Sequence, residues 1–119
     1  MTRVEIQSGD NLKTDDTEPD LVVSLYKDNG NPIDLSTGSP TVEFALAEAN
    51  ESTLVVDDDT DGNVSISDAA NGEVTYSWQS GDTSTKGTYE GEFRVVDGSD
   101  QTSFPNRGTF NVHIEEGLN

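Results

Sequence analysis

Apolar and polar residues alternate along most of this chain. Val74, Tyr76 and Trp78 alternate with Glu73, Thr75 and Ser77. Tyr89, Gly91, Phe93 and Val95 alternate with Thr88, Glu90, Glu92 and Arg94, and Phe110, Val112 and Ile114 with Thr109, Asn111 and His113. Successive side chains of a strand point to opposite faces, so each segment predicts a strand with one apolar and one polar face. The residues between them are Gly, Asp, Ser, Asn and Pro, which turns require.

The first half of the chain carries the same period. Arg3 to Gln7 predicts a short strand with Val4 and Ile6 on one face, and Ser8 to Pro19 a polar, acidic surface loop. Asp20 to Lys27 is a stronger strand with Leu21, Val23 and Leu25 inward. Asp28-Asn29-Gly30-Asn31-Pro32 forces a turn, since Asn and Gly tolerate positive φ and Pro cannot continue a ladder. Ile33 and Leu35 are expected to cover one end of the core. Thr41 to Ala47 follows with Val42, Phe44 and Leu46 inward; Ala and Glu would also suit a helix over 42–50, but Pro40 and the period of two favour a strand. Ser52 to Val56 and Asn63 to Ser67 predict a hairpin pair around the acidic loop Asp57 to Gly62. The sum is an all-β fold of about eight antiparallel strands, at the spacing of a β-sandwich. It is read as one domain, 1–119, with 1–19 an N-terminal strand plus acidic loop and 20–115 the sandwich core.

Composition qualifies this picture. The chain has 119 residues, only 30% of them hydrophobic, and a net charge of −18. Such values belong with disordered chains, yet acidic tails do not place Val, Phe and Tyr at every second position. The 24 acidic residues are spread over strands and turns against three Lys and three Arg. Self-repulsion of that size weakens in concentrated salt, so the surface fits a halophilic host or its virus; an ordinary soluble acidic surface is the alternative. Nucleic-acid binding and an anionic membrane surface are both disfavoured, because the basic stripe they need is absent. There is no cysteine, and neither a signal peptide nor a membrane span is evident.

The order of several landmarks resembles a known family. These are Leu-Tyr-Lys-Asp-Asn-Gly-Asn-Pro-Ile-Asp-Leu-Ser (25–36), Val-x-Phe-x-Leu (42–46), Ile-Ser-Asp-Ala-Ala-Asn-Gly-Glu-Val-Thr-Tyr-Ser-Trp (66–78), Gly-Asp-Thr-Ser-Thr-Lys-Gly-Thr-Tyr-Glu-Gly-Glu-Phe (81–93), Asp-Gly (97–98) and Phe-Pro-Asn-Arg-Gly (104–108). Together they are similar to the amino-terminal, immunoglobulin-like domain of the phage baseplate upper protein family, over roughly residues 18 to 115. The resemblance implies an immunoglobulin-like sandwich and a non-enzymatic virion protein, made in the host cytoplasm. It would dock in the tail tip or baseplate, or decorate the capsid. Its implied partners are other virion proteins in a homo-oligomer or symmetric repeated assembly. Members of the family continue into a coiled coil or receptor-binding region; this sequence ends at Asn119, so docking is the role expected of it. A carbohydrate- or cell-surface-binding module, with or without calcium dependence, is the alternative class.

Candidate chemistry is sparse. Asp57, Asp59 and Asp61 occupy positions 1, 3 and 5 of a calcium loop, with Gly62 at 6, the Asn63 carbonyl at 7 and Asp68 at 12. An acidic hairpin tip in so acidic a chain produces the same cluster by composition alone. No other cofactor is expected. Arg94 and Arg107 suit either structural pairing with carboxylates or an interface with another virion protein. His113 points outward without a partner nucleophile, and Glu90 and Glu92, on one strand face, are a pair that so many carboxylates make commonplace. Tyr76 and Trp78 read as core.

Overall fold

The structure, a computed structural model, describes residues 2–38, 40–49, 54–58, 63–105 and 108–117. Among these residues ten strands and one short 3-10 turn form two packed sheets. The strands are β1 (Arg3–Ser8), β2 (Asn11–Lys13), β3 (Leu21–Tyr26), β4 (Thr41–Glu48), β5 (Leu54–Asp58), β6 (Val64–Asp68), β7 (Glu73–Tyr76), β8 (Gly87–Asp97), β9 (Asp100–Phe104) and β10 (Phe110–Glu115). One sheet runs β1-β3-β7-β6, the other β2-β10-β8-β4-β5. The long strand β8 pairs with β4 along one edge and with β10 and then β9 along the other. This is an immunoglobulin-like sandwich.

The alternating residues meet in the core as the pattern predicts. Leu21, Val23, Leu25, Phe44, Leu46, Val74, Tyr76, Trp78, Tyr89, Phe93 and Val112 are all buried. Phe44 of the larger sheet meets Tyr76 of the smaller one with ring centroids 4.7 Å apart, and Phe93 at 4.8 Å. Rings packed at such offsets add attraction beyond the apolar area they hide. Leu35 is buried at one end, as expected, and the Asp28–Pro32 segment turns between β3 and a Tyr26–Pro32 bridge. Residues 42–48 are strand, so the helical alternative is excluded.

Three expectations are corrected. Residues 8–19 are not simply a loop: Asn11–Lys13 forms β2, parallel to β10, with Leu12 buried. The chain therefore starts in one sheet and switches to the other at Gly9–Asp10. Gly9 has φ +85°, and a Cβ there would stand 2.3 Å from the Asp20 carbonyl oxygen, so the crossing needs glycine. The Trp78 indole N–H donates to the Gly9 carbonyl at 3.3 Å and holds the switch against the core. Second, β5 and β6 are not a hairpin. β5 pairs with β4 in the larger sheet and β6 with β7 in the smaller one. Third, β9 was not anticipated; it folds back on β8 through a two-residue turn at Gly98-Ser99, with Asp97 opposite Asp100.

Candidate docking surface

The outer face of each sheet is built from the polar positions of the alternation, and the two faces differ. On the smaller sheet these side chains satisfy one another. The Gln7 amide donates to the Ser24 hydroxyl at 2.6 Å, the Thr75 hydroxyl to Ser67 at 3.0 Å, and the Arg3 guanidinium lies 4.1 Å from the Tyr26 ring centroid. On the larger sheet the outward residues of β4 are Glu43, Ala45 and Ala47, opposite Arg94, Glu92 and Glu90 of β8. The Arg94 Nε–H donates to Glu43 at 2.7 Å, a cross-strand ion pair. Glu90 and Glu92 are half-buried and, among the described residues, their carboxylates make no hydrogen bond or ion pair.

A β-bulge completes this face. Leu46 pairs with Val56 but Ala47 with Leu54, which leaves Val55 as the extra residue. Val56 is buried, so strict alternation would turn Leu54 inward too; the bulge turns it outward beside Ala47. Leu54 is 46% exposed and Val55 40%; with Ile66 of β6 they are the exposed large apolar residues among those described. All three lie on the free strands β5 and β6. A shallow groove of 260 Å³ runs between Ala45, Ala47, Leu54, Glu90 and Glu92.

Of the residues singled out in the sequence, Asp57 is exposed on β5, close to Arg94 in a second shallow groove. Asp68 ends β6, and its carboxylate accepts a hydrogen bond from the Asn71 amide at 3.0 Å. Four extended residues separate it from Asn63, roughly 15 Å at strand rise, and Asp57 and Asp68, positions 1 and 12 of the loop, lie on strands of different sheets. Asp59, Asp61 and Arg107 lie outside the described residues. Among the described residues no group of three or more His, Asp or Glu is gathered as a metal would need. His113 is exposed, its Nδ1 3.4 Å from the Thr88 hydroxyl. Leu54, Ala45 and Ala47 carry the face but were not singled out; the available signal was the unbroken apolar run Leu54-Val55-Val56, which no period of two explains.

Asp34 and Tyr89, both away from this face, have displaced pKa values. The Ser36 hydroxyl and then its backbone N–H donate to Asp34 and hold that carboxyl below its usual range. Burial, then the charge of Glu48, pushes the Tyr89 phenol up.

With this architecture in place, comparison with family models matches the BppU N-terminal domain over residues 5–118. The chain belongs to the BppU N-terminal domain family. BppU domains are parts of the phage baseplate upper protein, so membership gives the chain a structural role in a phage tail or baseplate, among other virion proteins. Two of the sequence landmarks fall at structural joints: Asp-Ala-Ala-Asn-Gly (68–72) is the 3-10 turn between β6 and β7 with its caps, and Tyr89 stands near the start of β8. The Tyr89 hydroxyl donates to the Thr85 carbonyl four residues upstream at 2.5 Å, the tyrosine corner of immunoglobulin-like folds. No curated protein matches the chain.

Proposed function

We propose that this protein is a non-enzymatic docking module of a tailed-virus particle, seated in the tail tip or baseplate. Membership in the BppU N-terminal domain family over 5–118 carries the reading. The adjacent exposed apolar residues Leu54 and Val55 on β5 support it, because soluble surfaces otherwise scatter such residues singly. Copies act side by side in a symmetric assembly, in which each weak contact is multiplied by repetition. The −18 charge supports work in concentrated salt, where a Debye length of about 3 Å at 1 M leaves apolar contacts to hold the assembly.

Mass spectrometry of purified particles, with immunogold labelling of this protein, tests the reading. The expected result is stoichiometric presence with label at one end of the tail. Protein that stays in the host lysate and is missing from washed particles would overturn it.

A further inference from the structure

We infer that the outer face of the larger sheet is a docking site for an extended, arginine- or lysine-bearing segment of a neighbouring virion protein. The inference rests on the proposed structural role and adds where the contact is made and what chemistry it takes.

The floor of the site is apolar. Ala45 and Ala47 stand at outward positions opposite Glu92 and Glu90, and the bulge at Val55 brings Leu54 out beside them. Bulges at sheet edges re-aim a side chain, and here the side chain exposed to solvent is a leucine, which water alone would not favour. The rim is anionic. Glu90 and Glu92 flank the alanines, half-buried and unpaired among the described residues, whereas Glu43 on the same face already has Arg94. A cationic side chain fits both parts: its methylene stem lies on Ala45, Ala47 and Leu54 while its head meets the two carboxylates.

Charge selects between occupants. A second copy would bring another −18 surface to the same place, and with six basic residues in 119 it has few cations to offer. A basic partner is complementary at contact, where its cationic heads meet the half-buried Glu90 and Glu92 and salt screens least. Among the described residues the neighbouring strand β5 pairs with β4 alone, which leaves its other edge for an extended segment to pair with.

The test is a titration of the full, isotope-labelled chain with the peptide acetyl-Leu-Arg-Val-Arg-amide, followed by amide chemical shifts, with a peptide bearing Glu in place of Arg as control. Shifts are expected to centre on Ala45, Ala47, Leu54, Glu90 and Glu92 and to saturate. The double change Glu90→Gln, Glu92→Gln should weaken binding by about tenfold, the loss of roughly two partly desolvated charge contacts. Leu54→Ser, at an exposed position, should weaken it with the remaining spectrum unchanged. Shifts spread evenly over the acidic surface, including the Asp97–Asp100 turn, or an affinity indifferent to the double change, would overturn the proposal. In particles, a photo-crosslinker at Leu54 should capture a different protein through a peptide containing Arg or Lys, and one at Thr75 on the other sheet should not. Capture of a second copy overturns the assignment of the occupant. Absence of the protein from particles defeats the structural role itself, and the peptide titration reports on the site independently of that result.

Discussion

Gly91 faces Phe110 across the β8–β10 pair at the one place where a side chain would strike the ring. A Cβ at Gly91 would lie 2.8 Å from the Phe110 Cζ and 3.2 Å from the Phe44 Cε1. Phe110 cannot swing aside, because it stacks on Phe93 at 5.7 Å with the planes 10° apart and on Phe44 at 6.1 Å. The glycine is an absent side chain that lets three rings close over it. Gly91→Ala should therefore cost about 1–3 kcal/mol through overpacking, read as a lower urea midpoint at unchanged slope. An unchanged midpoint would mean that the ring stack is looser than it stands here.

The tyrosine corner makes a separable contribution. Tyr89→Phe keeps the ring in the core and removes only the hydrogen bond to the Thr85 carbonyl. A loss of about 1 kcal/mol is expected, the usual net value of one such bond.

The same substitution has a pH signature. Burial raises the folded pKa of Tyr89 above its unfolded value near 10. Its contribution is therefore complete below about pH 10 and declines as pH rises through the higher folded pKa. Wild type should lose this contribution in that alkaline window, and Tyr89→Phe should have a flatter alkaline limb in thermal melts followed by circular dichroism.

Salt should stabilise the fold strongly. Asp97 and Asp100 face each other directly across the β8–β9 pair, an arrangement unfavourable in dilute buffer, and 24 acidic residues repel throughout. Raising KCl from about 0.1 M to about 2 M should raise the melting midpoint by roughly 10 °C, equivalent to about 2 kcal/mol. Asp100→Lys should raise the midpoint at low salt and lose most of that advantage at high salt. A midpoint insensitive to KCl would remove the argument for a saline setting.

Calcium should act on this surface as one divalent cation among others. Asp68 stands a strand's length from Asn63 and its carboxylate accepts from Asn71, so a twelfth ligand from Asp68 would compete with that hydrogen bond. Calcium and magnesium at equal ionic strength should shift the melting midpoint equally. A shift specific to calcium and removed by Asp57→Asn would establish a site built from Asp57, Asp59, Asp61 and the Asn63 carbonyl.

The alternation of residues determined which side chains enter the core. Leu21, Val23 and Leu25, Val42, Phe44 and Leu46, and the Phe110 set all face inward as the period of two dictates, because that period belongs to each strand by itself. Turn chemistry was legible for the same reason: the Asn29 side-chain oxygen accepts from the Asn31 N–H and Gly30 takes φ +86°, both within the segment itself. Pairing was not. Nothing local to Leu54–Asp58 or Val64–Asp68 states that they join different sheets, since the choice depends on which partners the rest of the core leaves open. β2 has three residues, too few to show a period, and it exists only because β10 offers an edge. The outward turn of Leu54 needed a bulge against β4, and the Arg94–Glu43 contact needed the β4–β8 register. Inward faces follow from stereochemistry along one strand, whereas the docking face follows from the register between strands, which the whole packed structure sets.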